Sequence, residues 1–304
     1  RTTAYWGMEI NYAIISMLLT YYFYLKIDFE GSKIKYNHLF AIIFFSSLVI
    51  YFDQKFIFIP LVIFFKVLTC KINLEQKLFM LVSYAILSLP YLFLIYTWEG
   101  IVPPSTQNVN QQTITKINRL NLFHLEHLGY ASTMIAFYIL PLLIFFKKNI
   151  SFYIKNFFTN KLNYFFISLS VVYLFFVINN LDFQYYTGEK YYRYNFGLGI
   201  THKVSILFFE NLILREFFTY ISFFISWVII CFYIEKKIMD VLIFTFFFII
   251  SLFLFPIMQE YFDLVITLTA FLLLQNQFEI NYKRAFVFYG YFATYLIGCI
   301  MYYL

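Results

Sequence analysis

The sequence predicts an all-α fold: a polytopic transmembrane bundle of about ten helices, forming one membrane domain over residues 1–304. The chain is 62% hydrophobic and only 12% charged, whereas soluble domains carry roughly a quarter charged residues. Apolar runs such as Leu78–Tyr96 and Ala285–Tyr303 approach the ~20 residues that cross a bilayer. Because backbone polar groups must be satisfied internally in hydrocarbon, runs of this length are expected to be helices.

Ten apolar segments follow one another along the chain. The predicted helices are Met8–Leu25, Leu39–Phe52, Phe56–Leu68, Leu78–Tyr96, Tyr130–Phe146, Tyr164–Ile178, Phe217–Ile234, Val241–Phe255, Leu264–Leu274 and Ala285–Tyr303. The polar turn Asp53-Gln54-Lys55 divides one long apolar run into two. We expect those two helices to form a tight antiparallel pair, with Asp53 and Lys55 at the outer surface. The shortest segments need local membrane thinning or burial against neighbours.

The loops between these segments differ in charge. One alternating set, from Lys26 to Arg284, holds fourteen of the 22 Lys and Arg residues, and the other holds eight. The positive-inside rule places the first set in the cytoplasm or matrix. The chain therefore starts on the outer side of its membrane, which is a bacterial inner membrane or an ER or organelle membrane. Since it lacks an initiator Met and a signal-peptide pattern, we also expect an N-terminal part to be missing.

Composition argues against several classes of function. The net charge of +6 is spread over membrane loops rather than clustered on one face, so we expect no nucleic-acid partner. Cys70, Cys231 and Cys299 are far apart and lack metal-ligand spacing. We expect neither a metal nor another cofactor. The many Phe and Tyr residues fit a general compositional bias and indicate no particular site.

Two long polar loops, Trp98–Gly129 and Asn179–Arg215, lie on the predicted outer side and carry the candidate chemistry. Their basic and imidazole groups lie at headgroup height, where they suit a lipid-linked phosphate. The candidates for phosphate binding are Lys116, Arg119, His124, His127, Lys190, Arg193 and Lys203, and the weaker candidates for a catalytic carboxylate are Glu99 and Glu126. The alternative is a solvated loop that touches lipid headgroups. A zinc site at His124 and His127 lacks a convincing third ligand.

Three segments resemble the GT-C superfamily of membrane glycosyltransferases, most closely the dolichyl-phosphate-glucose α-1,2-glucosyltransferases and their bacterial relatives. Tyr51–Pro60 resembles the family's tight outer turn, although Asp53 stands where an Arg is expected. Trp98–Val102 resembles the Gly-Ile-Val start of a long outer loop, without the acidic signature that follows it. Pro256–Asp263 resembles a late short turn. Counted on the family's topology, three helices and the loop with the main catalytic acid would precede Arg1.

The resemblance implies transfer of a sugar from a polyprenyl-phosphate donor to an acceptor at the outer membrane face. The anomeric configuration would be inverted, and the bilayer and the lipid-linked sugar would be the partners. The alternative is a non-catalytic hydrophobic subunit of a respiratory or other membrane complex, whose outer loops contact partner proteins. A transporter is less favoured, because no inverted repeat or matching pair of broken helices is present in the sequence.

Overall fold

The computed structural model places most of the residues it describes in helices. The described residues are 2–27, 34–52, 54–99, 125–148, 150–180, 198–233 and 278–303, with isolated positions between 241 and 252. Among these residues, Phe146 and Phe278 form an isolated antiparallel β-bridge. The chain divides into two compact units, Arg1–Leu122 and Phe123–Leu304. The single membrane domain expected from the sequence stays a prediction.

The part of the first unit that the structure describes forms four α-helices: α1 (Thr2–Leu25), α2 (Tyr36–Phe52), α3 (Phe58–Thr69) and α4 (Leu74–Trp98). Helices α1 and α2 run antiparallel. Tyr12 stacks on Phe52 with ring centroids 5.6 Å apart, and Phe23 stacks on Phe45 at 5.7 Å. Aliphatic side chains from α2 and α3 are fully buried in the core of this unit.

The predicted break after α2 is confirmed. Helix α2 ends at Phe52, and a 3₁₀ turn, Gln54–Ile57, leads into α3. Helix α3 ends where α4 begins, and Gln76 in the first turn of α4 binds Ile34, just before α2. Its Oε1 accepts from the Ile34 N–H at 3.2 Å, and its amide donates to the Ile34 carbonyl. Helix α3 therefore returns antiparallel to α2. Asp53 and the Lys55 side chain lie outside the described residues.

Lysines collect at the end of the first unit where α1 and α3 finish and α2 and α4 start. They are Lys26, Lys35, Lys66, Lys71 and Lys77. The Lys77 ammonium donates to the carbonyl of Leu68 at 2.9 Å, so it satisfies one of the unpaired carbonyls that a helix leaves at its C-terminus. These five lysines, which the sequence assigns to the cytoplasmic side, therefore lie at one end of the first unit.

In the second unit, the described residues form six α-helices: α5 (His127–Ile139), α6 (Ile150–Thr159), α7 (Lys161–Asn180), α8 (Gly199–Phe208), α9 (Leu212–Tyr233) and α10 (Tyr282–Tyr303). Helix α5 is the central one, and eleven of its thirteen residues are buried. It runs parallel to the second half of α9: Gly129, in the first turn of α5, lies against Phe223 in the middle of α9, and the Tyr233 hydroxyl donates to the Ile139 carbonyl at the ends of both helices.

Among the described residues, four helical segments are long and apolar enough to cross a membrane: Leu74–Trp98, His127–Phe145, Lys161–Asn179 and Leu212–Tyr233. The second comprises α5 and the 3₁₀ turn that extends it, Leu140–Phe145. Several such segments in one chain are what a multi-pass integral membrane protein requires. The chain is therefore an all-helical membrane protein with at least these four candidate spans.

The sequence count of about ten crossings stays a prediction. Tyr12–Leu25, Tyr36–Phe52 and Phe58–Thr69 are apolar but shorter than a usual span. The predicted helix Ala285–Tyr303 forms, as part of α10, but is not among the four candidates. Leu264–Leu274 and most of Val241–Phe255 lie outside the described residues.

Two helices occupy stretches that the sequence analysis treated as loops. Helix α8 lies inside the second predicted outer loop, and α6 lies in a predicted cytoplasmic loop. Each has ten residues, about 15 Å of helix at 1.5 Å per residue. Such helices are too short to cross a bilayer and therefore leave no 20-residue apolar run in the sequence.

Candidate functional site

The candidate site lies at the end of the second unit where α5, α8 and α9 begin and α7 approaches its end. This is the end predicted to face outward. Helix α5 begins at His127, directly after Glu126, which is half-buried. Two predicted site residues therefore occupy the start of the most buried helix of this unit.

His127 is fully buried, and its Nδ1 lies 3.2 Å from the carbonyl oxygen of Ser251. A carbonyl oxygen only accepts hydrogen bonds, so Nδ1 carries the proton in this contact. The sequence placed His127 in a polar loop at headgroup height. The structure instead places it in the interior, where it holds the start of α5 against the segment that contains Ser251.

The start of α5 is held from another side by Tyr173 of α7. Its hydroxyl accepts from the backbone N–H of Gly129 at 2.8 Å and donates to the carbonyl of Leu125 at 2.9 Å. The carbonyl of Glu126 is 3.3 Å away. One tyrosine thus adds hydrogen bonds to the backbone of the N-terminal turn of α5 and holds the backbone of Glu126.

Helix α8 begins in an unusual backbone conformation. Leu198 and Gly199 have φ of 61° and 67°, in the left-handed region that glycine tolerates and a branched side chain rarely adopts. No side chain caps the first turn of α8. This turn carries His202, whose ring makes an edge contact with the Tyr130 ring of α5, with centroids 6.4 Å apart.

His202 is 6% exposed, and its Nδ1 has no hydrogen-bond partner among the residues that the structure describes. Burial, together with the positive charges of Arg215 and Lys203, lowers its pKa to about 4. Because desolvation and neighbouring cations both disfavour imidazolium, His202 is neutral near pH 7. A buried, incompletely bonded imidazole is costly, and such groups cluster at functional sites.

Two half-buried cations act on this imidazole from different helices. Lys203 follows it on α8, and Arg215 lies in the first turn of α9. The Arg215 Nε donates to the carbonyl of Phe209, which ties the guanidinium to the α8–α9 connection. Because Lys203 and Arg215 bring positive charge to His202 from two helices, this corner is favourable for an anion such as a phosphate.

The predicted site residues have different positions in the structure. Glu126, His127 and Lys203 lie in the second unit, and Tyr130 connects the start of α5 to His202, the residue next to Lys203. Glu99 lies in the first unit, exposed, at the C-terminus of α4 with φ 52°. The other five predicted residues lie outside the described part of the chain: Lys116, Arg119, His124, Lys190 and Arg193.

The sequence analysis did not select His202, Arg215 or Tyr173. His202 lies within the predicted loop Asn179–Arg215, and the α8 helix that buries it was not predicted. Arg215 directly precedes the apolar segment Phe217–Ile234, and a cation at a helix start is usually an interfacial anchor. Within the described residues, no three His, Cys, Asp or Glu side chains lie close enough to hold a metal ion.

Comparison with known proteins adds no family assignment. No known family, no curated protein and no solved structure matches the chain.

Proposed function

We propose that the protein is a membrane glycosyltransferase that takes a sugar from a polyprenyl-phosphate donor at the outer face of its membrane. The architecture would be GT-C-like with about ten crossings, and the anomeric configuration would be inverted. The observation that supports this most is the cation pair Lys203 and Arg215 beside the neutral, buried His202. A departing lipid phosphate needs such preorganised positive groups.

The reaction would divide its tasks among few groups. A carboxylate deprotonates the acceptor hydroxyl, whose oxygen attacks the anomeric carbon while the bond to the phosphate oxygen breaks. The two weak candidates are Glu126, whose backbone is held by Tyr173 at the start of α5, and Glu99. The phosphate leaves with the bonding electron pair, stabilised by Lys203, Arg215 and the predicted cations of the outer loops.

Incubation of the purified protein with a labelled polyprenyl-phosphate hexose and candidate acceptors tests this function. Arg119→Ala and Arg215→Ala should each weaken donor use by roughly 2–4 kcal/mol of transition-state stabilisation, as expected for the loss of one preorganised charge. The exposed Lys71, in the first unit, provides the control variant Lys71→Ala, which should change activity little. Losses below about 1 kcal/mol would mean that the arginines only touch headgroups, and no transfer to any acceptor would refute the function.

A non-catalytic subunit of a larger membrane complex is the second candidate. It is favoured by the apolar surface of α10, where Phe286, Tyr289 and Met301 are 79%, 70% and 74% exposed. Lipid or another subunit's apolar helix could cover these side chains. Extraction in a mild detergent and native electrophoresis separates the two functions, because a subunit should migrate with a much larger assembly and show no transfer activity.

A further inference from the structure

The opposite end of the second unit carries a concentrated positive charge. Lys147 and Lys148 precede α6, Lys155 lies within it, and Lys161 starts α7; all four are exposed. The sequence contains no Asp or Glu between Glu126 and Asp182. No acidic neighbour along the chain therefore offsets these four charges.

Helix α6 is anchored to the bundle by aromatic contacts. Phe157 is buried and stacks on Phe232 of α9, with ring centroids 4.6 Å apart. Tyr153, one turn earlier, contacts Phe146 at 4.4 Å. Asn163 closes the junction with α7 by donating to the carbonyl of Phe157 at 3.1 Å. The helix is thus held in place by one face and presents the rest of its surface outward.

The outward surface of α6 combines apolar and basic groups. Ile154 and Phe158 are 41% and 60% exposed on its flank. At 100° per residue, Lys155 lies on the side away from the anchoring pair Tyr153 and Phe157. Lys148 lies 3.9 Å above the ring of Phe152. Apolar flanks with lysines on the polar side are the pattern of a helix lying in the membrane interface.

A nearby carboxylate does not cancel this charge. Glu279 pairs with Arg284 at 3.4 Å. The same guanidinium also donates to the carbonyl of Phe146 at 3.3 Å, so this ion pair is tied to the bundle at the start of the basic segment. Glu279 therefore pairs with Arg284 and not with one of the four lysines.

We propose that Lys147, Lys148, Lys155 and Lys161, with the flank of α6, form a binding surface for the headgroups of anionic phospholipids. The lysines contact the headgroup phosphates, while Ile154 and Phe158 enter the adjoining acyl region. These exposed apolar side chains favour a lipid over an acidic protein as the occupant. The surface is independent of the glycosyltransferase function and lies at the other end of the unit.

Spin-labelled lipids in proteoliposomes test the proposal on the full chain. The protein should associate with spin-labelled phosphatidylglycerol in preference to spin-labelled phosphatidylcholine by at least about threefold, since one lysine near an anionic surface contributes on the order of 1 kcal/mol. Changing all four lysines to Gln should remove most of this preference. Changing them to Arg should preserve it, and both variants should keep the helical circular dichroism of the wild type.

Four lysines of the first unit supply the matched control, because the same number of charges can be removed there without touching α6. They are Lys26, Lys35, Lys66 and Lys71. Their Gln variant should retain most of the lipid preference. An equal loss in both Gln variants would show a general effect of basic loops and would overturn the proposal, as would equal association of the wild type with the two lipids.

Discussion

The environment of His202 differs from the one that the sequence predicts. The sequence places it in a polar loop next to Lys203, where a histidine would be expected to be solvated. The structure buries it in the first turn of α8 against Tyr130. Burial of this kind depends on long-range packing of α5 against α8, which no local pattern in the sequence encodes.

The pH dependence of stability should report the burial of His202. Its pKa is about 4 in the folded protein against an ordinary value of 6.5, so the unfolded chain binds a proton first as the pH falls. Stability should therefore decrease between about pH 6.5 and pH 4, by about 3 kcal/mol in total. Unfolding of the detergent-solubilised protein should show this decrease in the wild type, but much less in His202→Gln.

The half-buried His38, in the first unit, provides the control for that measurement. His38→Gln should keep the decrease in stability below pH 6.5. If His202→Gln and the wild type lose the same free energy of unfolding over this range, His202 does not occupy the buried environment described above.

At the level of helices, the sequence predicted the apolar elements well and the short ones poorly. The polar turn at Asp53 correctly separated α2 from α3. The segments Leu78–Tyr96 and Tyr164–Ile178 correctly located α4 and α7, although both helices extend two to four residues further at their ends. Polar residues at helix ends carry no hydropathy signal, so the boundaries were drawn too short. The ten-residue helices α6 and α8 were not predicted, because they are too short to leave a 20-residue apolar run in the sequence.

The contact between α5 and α9 depends on Gly129. A Cβ placed there would lie 2.3 Å from two atoms of the fully buried Phe223 ring. Gly129→Ala should therefore destabilise the protein by about 1–3 kcal/mol, because neither the ring nor the helix can move freely. Thermal unfolding in detergent measures the effect, and the double variant Gly129→Ala with Phe223→Leu should recover part of the loss.

Gly290 on α10 is the matched control for this prediction. A Cβ at that position meets no atom within 4 Å, so Gly290→Ala should change stability by no more than about 0.5 kcal/mol or increase it slightly. Equal destabilisation by the two alanines would show that α5 and α9 do not meet at Gly129.

For the whole molecule, composition was sufficient to predict an all-helical membrane protein but not its division into two units. The low charge content and the long apolar runs fix the helical class. The boundary at Leu122 and Phe123 lies within the first predicted outer loop and follows from which helices pack together. Hydropathy alone does not contain this information.

The predicted orientation of the chain in the membrane rests on the charges of its loops. The end of the first unit with five lysines and the end of the second unit with Lys147, Lys148, Lys155 and Lys161 both belong to the loop set predicted to be cytoplasmic. The cation pair of the candidate site belongs to the other set. The proposed outward-facing site and the proposed cytoplasmic basic surface therefore depend on the same predicted membrane topology.

Thiol labelling in intact cells or sealed vesicles tests this claim most directly. In a background without Cys70, Cys231 and Cys299, single cysteines replace Asn108 in the first outer loop and Asn149 beside α6. A membrane-impermeant maleimide should label the cysteine at position 108 from outside, and the one at position 149 only after permeabilisation. The reverse pattern, or labelling of both from outside, would contradict the membrane orientation on which the proposed function depends.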